Sequence, residues 1–530
     1  MNFEIAQETQ KTPMGDVEVT LIVISNLIDP TLMKVLLDIT EDEEFYNETV
    51  KKTPEYFFQF LDPILKKADG GNEALLGLAC YLSDVFKDKI AQYNKMSDDG
   101  RVTFDHLNRL FTVGSRFVAT VNGQLVGGIV HATRMESGMF GDKHFMVVGM
   151  NTLSTGKEFV QMEKSFCINQ FGGLRHVKDL EVCPMSEADY HKLTERGRKF
   201  ARYGLGTHYL AYDGEMFRNS QYGPVHFNAT GRLMVDPVGF RMMNPNYERQ
   251  YADHGKNVCN PEIPEELLFL AWPFISGWSS VQKRWGEIYV EGLKEIVYDE
   301  KAFDYLVLDP DVKQLCHALV TNVHHGFTDI ISQKSGGAIF LLHGPPGTGK
   351  TLMCESISEV LHRPLYSVTV GEMGTSAEAL EKRLAVILEV CRNWDAVILI
   401  DEADIFLEKR SDNDIERNAM VGIFLRLLER HQGVMFLTTN RAERLDEAFR
   451  SRISIIIQYD ELNEGARLQV WRNLSTASKL DLPDEILARL SAEKINGRQI
   501  KNAIRMSMAL AHSKKEPVTY DHLIKVIRMM

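Results

Sequence analysis

One stretch constrains this chain more than any other. Ala338–His343 is a continuous apolar run of strand length. Gly344-Pro345-Pro346-Gly347-Thr348-Gly349-Lys350-Thr351 follows, and Leu352, Met353, Ile357, Val360 and Leu361 then recur at helical spacing. Strand, glycine-rich loop and helix, in that order, are the context that the pattern GxxxxGK[ST] requires. The glycines let backbone N–H groups come close to phosphate oxygens, and the helix N-terminus adds positive potential. The motif, with Leu352 after it, therefore reads as a triphosphate cradle. Its Lys350 ammonium is placed for the β- and γ-phosphates and its Thr351 hydroxyl for Mg²⁺.

Later strand ends supply the chemistry that such a loop needs. Residues 396–400 form a second buried run ending in Asp401-Glu402. There Asp401 is placed to hold magnesium through its water shell, and Glu402 to polarise an attacking water as general base. Residues 434–438 lead to Asn440, whose amide suits the attacking water or the γ-phosphate. Arg450 and Arg452 stand just before residues 453–458, at a strand entrance from which their own loop is hard to reach. In a ring they would reach the γ-phosphate bound by a neighbour and stabilise transition-state charge. Residues 461–530 read as a small helical lid. In it Gly497-Arg498 open a helix that continues through Ile500, Ala503, Ile504 and Met508, so Arg498 is a candidate to close over the nucleotide.

The order and spacing of these residues resemble AAA+ ATPases. The phrases DEADIFLEKR (401–410), FLTTNRAERLDEAFRSRI (436–453) and NGRQIKNAIR (496–505) are similar to a largely uncharacterised group of AAA proteins common in fungi. LTERGRKFARYG (193–204) and GRLMVDPVGF (231–240) extend that likeness into the N-terminal half. The resemblance implies a multi-domain chain: an α/β P-loop core with a parallel sheet of order 5-1-4-3-2, a helical lid, and a ring, usually of six subunits. It also implies ATP and Mg²⁺ as cofactors, and an adenine pocket lined by Phe303-Asp304-Tyr305-Leu306-Val307-Leu308. Two departures stand out. The loop after the second core strand reads Gly371-Glu372-Met373-Gly374, with no aromatic from there to Trp394, so the usual gripping loop is absent and Met373 is at most a weak substitute. Thr375 and Glu378 then read as a capping box. Arg450-Ser451-Arg452 is one residue shorter than the usual arginine pair, which leaves both as candidates for the finger.

The rest of the chain divides into residues 1–100, 101–245 and 246–300, ahead of a large ATPase subdomain at 301–460 and the lid at 461–530. Residues 1–100 read as mostly helical after a short opening strand. They hold 19 acidic residues against 9 lysines and no arginine, within a chain of net charge −13. That balance disfavours a nucleic-acid motor. Residues 101–245 read as a β-rich, partner-binding domain. Asn122-Gly123 closes a hairpin, Asp213-Gly214 marks a weaker one, and Ser186 with Asp189 caps a helix over 187–203. Residues 246–300 read as a junction carrying Trp272, Trp278 and Trp285, either as buried anchors or as a partner surface. Seven dispersed cysteines suit a reducing compartment. The N-terminus lacks a secretory or transit pattern and no apolar run spans a bilayer, so a soluble cytoplasmic protein without membrane contact is expected. Cys316, His317, His324 and His325 lack zinc-type spacing. Cys354 follows the P-loop, where a thiol is either acidified by the helix N-terminus or buried. The reading that gathers these features is an ATP-driven ring, a homo-oligomer that remodels an unknown protein client chosen by residues 1–300. The rival is a nucleotide-switched assembly or scaffold protein.

Overall fold

The computed structural model describes the chain except residues 1–2, 13–14, 41, 59, 138–141, 248–256, 260–261, 323–336, 375, 408–414 and 442–445. It folds as two units, and each is assembled from separated stretches of sequence.

The first unit comprises residues 1–206, 248–275 and 289–291. It opens on a three-stranded antiparallel sheet, Glu4–Thr12, Gly15–Ser25 and Thr49–Lys52, where one short strand followed by helices was expected. The β-branched run Val19-Thr20, Ile22-Val23-Ile24 explains the difference, because such side chains pack well on a pleated surface and lose χ1 freedom in a helix. Helices Pro30–Thr40, Leu61–Asp69 and Glu73–Val85 bury Leu32, Leu36, Ile64, Leu75, Leu78 and Leu82 against Ile22 and Ile24 of that sheet. A six-stranded antiparallel sheet follows. Its order is Val182–Pro184, Arg116–Val121, Gln124–Ser137, Lys143–Ser154, Phe159–Asn169, Asn257–Cys259. Asn122 and Gly123 close the hairpin with φ of +47° and +76°. The helix Glu187–Tyr203 starts at Ser186, whose capping box with Asp189 is formed as expected.

The second unit comprises residues 207–247, 276–288 and 292–530. Residues 207–247 therefore belong to this unit and not to that of the six-stranded sheet, and much of 246–300 is not a linker. Both supply strands to a seven-stranded antiparallel sheet ordered Gly223–Asn228, Glu215–Ser220, Arg284–Tyr289, Phe274–Ser279, Gly231–Val235, His208–Tyr212, Leu293–Lys294. Asp213-Gly214 does not close a hairpin. Gly214 has φ +149°, and the strands on either side of it pair elsewhere, His208–Tyr212 with Gly231–Val235 and Glu215–Ser220 with Gly223–Asn228. Trp278 and Trp285 are buried, as anchors. They pack on Trp394, with ring centroids 5.7 and 5.6 Å away, and Trp394 donates its indole N–H to the buried Asp236 carboxylate at 2.6 Å.

That tryptophan cluster joins the seven-stranded sheet to a parallel five-stranded one. The latter consists of β1 (Ala338–His343), β2 (Leu365–Thr369), β3 (Val397–Asp401), β4 (Val434–Thr439) and β5 (Ile455–Gln458), in the order β2-β3-β4-β1-β5. β1, β3 and β4 are buried almost throughout, as a parallel sheet covered on both faces requires. Helices Glu464–Ala477, Asp484–Ser491, Gly497–Lys514 and Tyr520–Ile527 form a C-terminal bundle around Trp471, Leu490, Ile500, Ile504 and Leu523. No described helix is long and apolar enough to cross a membrane.

His431, between helix Ile415–Arg430 and β4, gives this core a measurable pH response. Its ring is buried with Nε2 unpaired, and burial pushes its pKa down to about 4. Between about pH 6.5 and the folded value the unfolded chain binds a proton that the folded chain refuses, so stability falls as pH drops. Urea unfolding near pH 5 and pH 7.5 should show wild type losing about 2 kcal/mol more than His431→Phe over that interval. Equal losses would mean that His431 is not the titrating group.

Candidate functional site

The site is built where β1 ends. Gly344 has φ +142°, and a Cβ there would lie 2.0 Å from the Tyr459 carbonyl oxygen. Only glycine allows this approach between the loop and the chain leaving β5. Gly347 and Gly349 also have positive φ, +77° and +109°. Helix Lys350–Val360 then begins without any side-chain cap, so its first-turn N–H groups have no side-chain acceptor and its N-terminal potential is uncompensated.

Lys350 folds back over this loop. Its ammonium donates to the carbonyls of Gly344 (2.6 Å) and Pro345 (3.0 Å) and to Asn440 Oδ1 (2.9 Å). All three acceptors are uncharged. Burial pushes the Lys350 pKa below the usual lysine value; Asp401 and Asp404 oppose that shift and Arg498 adds to it. A half-buried cation bonded only to neutral oxygens, beside an uncapped helix N-terminus, fits a polyanion such as triphosphate.

The carboxylates are pinned from β4. The Thr438 hydroxyl donates to Asp401 Oδ1 (2.5 Å) and accepts from the Glu402 N–H (2.9 Å), and the Thr438 carbonyl accepts from the Ala403 N–H (2.9 Å). Glu402 itself is left-handed, with φ +54°. A non-glycine residue held there stores backbone strain of order 1–3 kcal/mol, which persists only where the surroundings enforce it. One residue along β4, the Thr439 hydroxyl donates to Asp404 Oδ1, which also accepts from the Asn440 N–H at 3.3 Å. Asp404 and Thr439 thereby place Asn440. Neither Thr438 nor Asp404 stood out in the sequence; the signal available was the Thr-Thr-Asn triplet opposite Asp-Glu-Ala-Asp.

These groups open on one cavity of about 510 Å³. Pro346, Gly347, Thr348, Gly349, Lys350, Thr351 and Leu352 line it, as do Asp401, Glu402, Asn440 and Arg498. Gly344 and Pro345 take part through the carbonyls that hold Lys350. Of the expected adenine segment, residues 305–308 line the cavity, as do Val470, Leu474 and Ala477 of the C-terminal bundle. The bundle touches the loop directly, since the Gly497 N–H donates to the Gly347 carbonyl at 2.9 Å. Glu355, Tyr459, Leu462, Asn473 and Lys501 also line it and were not anticipated. The Thr351 hydroxyl and the Asp401 carboxylate are the oxygen donors suited to Mg²⁺, which when bound supplies positive charge against the phosphates.

Arg450 and Arg452 lie outside that cavity's lining. Neither stands at a strand entrance. Arg450 ends the short helix Glu447–Arg450, and β5 begins only at Ile455. Arg452 pairs with Glu429, with Nε 2.9 Å from the carboxylate, and donates to the Ala448 carbonyl at 2.6 Å. Arg450 is exposed, with no ion pair among the described residues. Met373 is fully buried in the core, which removes it as a gripping side chain. The helix after it is capped by Ser376, whose hydroxyl accepts from the Ala379 N–H; Thr375 lies outside the described residues. Cys354 is buried, and burial pushes its thiol well above the usual range, so the helix N-terminus does not acidify it. Cys316 is buried and His317 exposed, while His324 and His325 lie outside the described residues.

Comparison with known proteins agrees with this location. Residues 340–461 match the model of the ATPase family associated with various cellular activities (AAA), and residues 92–189 match that of a domain of unknown function (DUF7025). A putative 26S proteasome regulatory subunit homolog of Methanothermobacter thermautotrophicus is 30% identical over 199 residues, 34% of this chain and 52% of that protein. A mitochondrial sorting homolog of Caenorhabditis elegans is 27% identical over 265 residues, 48% of this chain and 71% of that protein. Fidgetin-like protein 1 of Drosophila melanogaster is 36% identical over 123 residues, 21% of this chain and 23% of that protein. The matched stretch thus spans about half of the first relative and under a quarter of the third.

The double role of Thr438 generates a test. Thr438→Val keeps the shape but frees both Asp401 and the Glu402 backbone. Phosphate release from ATP should fall about tenfold or more while nucleotide affinity stays within about threefold, because the loop is untouched. Unchanged turnover would show that the carboxylates hold their places without that hydroxyl.

Proposed function

We propose, from the match of residues 340–461 to the AAA family model, that this chain hydrolyses ATP in a cytoplasmic ring, usually of six copies, to remodel a protein client chosen by its N-terminal regions. The observation that carries the proposal is the convergence of the Lys350 ammonium, Asp401, Glu402 and Asn440 on one cavity beside an uncapped helix N-terminus. The strand order β5-β1-β4-β3-β2 and the C-terminal helices support assigning the core to an AAA+ large subdomain and its lid. In this reading Lys350 and the loop amides bind the β- and γ-phosphates, Glu402 takes the proton of the attacking water, and Asn440 orients that water. Arg498, on the lid, adds positive charge to the phosphate end. Arg450 is the better candidate to act on a neighbour's nucleotide, since Arg452 is already tied to Glu429.

One observation favours a second reading. Threading needs an exposed gripping side chain after β2, and here Gly371 and Glu372 are exposed while Met373 is core. A switch in which ATP binding builds an assembly and hydrolysis dismantles it needs no such grip. The two readings diverge in Glu402→Gln under saturating ATP. A remodeller stalls in that variant, whereas a scaffold retains its full effect.

Lys350→Ala should abolish ATP turnover and weaken binding, and Glu402→Gln should keep binding while lowering turnover by about 10²–10⁴-fold. Arg450→Ala should lower turnover at concentrations where the protein assembles yet leave nucleotide affinity unchanged; sedimentation and phosphate release read both. Undiminished turnover in Lys350→Ala would end the ATPase reading, and full activity in a strict monomer would end the shared-site one.

A further inference from the structure

The P-loop that leads into helix Lys350–Val360 and the start of the bundle helix Gly497–Lys514 meet where the Gly497 N–H donates to the Gly347 carbonyl at 2.9 Å. Two pairs of charges from these helices line the same cavity. At the first turn Lys350 feels the like charge of Arg498. One turn further along, Glu355 feels the opposite charge of Lys501. Glu355 is four residues beyond Thr351 and Lys501 three beyond Arg498, so each continues the face of its helix that already looks on the phosphate end. Both line the cavity.

Glu355 is the odd group in this lining. The surrounding walls desolvate its carboxyl and raise its pKa; Lys501 opposes that shift and Glu359 adds to it. Neither Glu355 nor Lys501 has a side-chain hydrogen bond or ion pair among the described residues. A carboxylate costs electrostatic energy in a cavity that receives a polyanion, unless it gains donors there. Phosphate oxygens offer none, and Leu306, Val307, Leu308, Val470 and Leu474 of the same lining are apolar. Between phosphates and base a nucleotide carries its sugar, and ribose presents two adjacent hydroxyls. Two hydroxyl donors match the two oxygens of a carboxylate, and O–H···O⁻ bonds are among the stronger hydrogen bonds. Dinucleotide-binding folds hold ribose with an acidic side chain by the same chemistry.

We propose that Glu355 selects the sugar: its carboxylate accepts from the 2′- and 3′-hydroxyls of the bound nucleotide, with Lys501 offsetting its charge, so the site discriminates ribonucleotides from deoxyribonucleotides. The assignment rests on the ATP-binding reading. Calorimetric titration of the full-length protein with ATP and with 2′-deoxy-ATP, in the presence of magnesium, tests it. Wild type should bind ATP about tenfold or more tightly than 2′-deoxy-ATP, the size of one charge-assisted hydrogen bond. Glu355→Ala should bring ATP and 2′-deoxy-ATP to the same affinity, with the larger loss for ATP, because the deoxy form has only its 3′-hydroxyl bond to lose. The milder Glu355→Gln, which keeps shape and one acceptor oxygen, should show an intermediate preference if the alanine variant fails to fold. Equal wild-type affinity for both nucleotides, or a parallel loss for both in Glu355→Ala and Glu355→Gln, overturns the sugar assignment alone. Failure of wild type to bind either one overturns the nucleotide-site reading with it.

Discussion

The Lys350 ammonium is the interaction on which the nucleotide sheet turns. It bridges the end of β1, through the Gly344 and Pro345 carbonyls, to the residue after β4, through Asn440. Those strands are neighbours in the sheet, in register from Ala338 opposite Val434 to His343 opposite Thr439. Burial costs the ammonium hydration, and nearby Asp401 and Asp404 return part of that cost without bonding to it. Its bonded partners are three neutral oxygens, each weaker than a charged one. A group bearing several negative oxygens therefore has a clear advantage over them. The carboxylates, in turn, are kept off the lysine by their own hydroxyl partners on β4, so the cation remains available.

A buried carboxylate organises the other half of the same unit. Asp236 accepts from the Trp394 indole and from the Gly239 N–H (2.7 Å), which caps helix Pro237–Met243. Trp394 ends the helix Ala377–Asn393 that covers β2 and β3, so one side chain couples the seven-stranded sheet to the nucleotide sheet. Burial raises the Asp236 carboxyl, while the Gly239 and Trp394 donors oppose it. Such a group is destabilising unless every donor stays in place, which makes the junction specific rather than merely adhesive. Residues 207–247 and 276–288 are thus part of the body that would bind the nucleotide, although the chain reaches it through a differently packed unit.

What could be read in advance was local. The P-loop, the two carboxylates at the end of β3 and the Ser186 capping box are each written in fewer than ten consecutive residues. Their geometry follows from backbone sterics and capping that neighbouring residues decide. What could not be read depends on distant pairs. Arg452 meets Glu429 across a helix and a strand, and Thr438 reaches Asp401 from the adjoining strand. Threonine and glutamate are too common for either pairing to stand out. Asp213-Gly214 misled because the dipeptide permits a tight turn without requiring one, and tertiary pairing sent its flanking strands elsewhere. Met373 misled in the opposite direction: an isolated apolar residue in a glycine-bounded loop looks exposed, yet the short helix Val370–Met373 buries it.

The C-terminal bundle is held to the P-loop by a backbone bond, Gly497 N–H to the Gly347 carbonyl, and a Cβ on Gly347 would come within 2.8 Å of Asn496 Oδ1. Asn496 is itself the cap of the helix that carries Arg498 and Lys501. Any shift of the loop at Gly347 therefore moves the start of that helix, and with it two cations that face the cavity. A ligand biases such an element only by making different contacts in its two positions. Arg498 and Lys501 are the side chains positioned to make that difference, since they are charged, lie in the lining and sit on the side of the cavity that is tied to the loop by a single backbone bond.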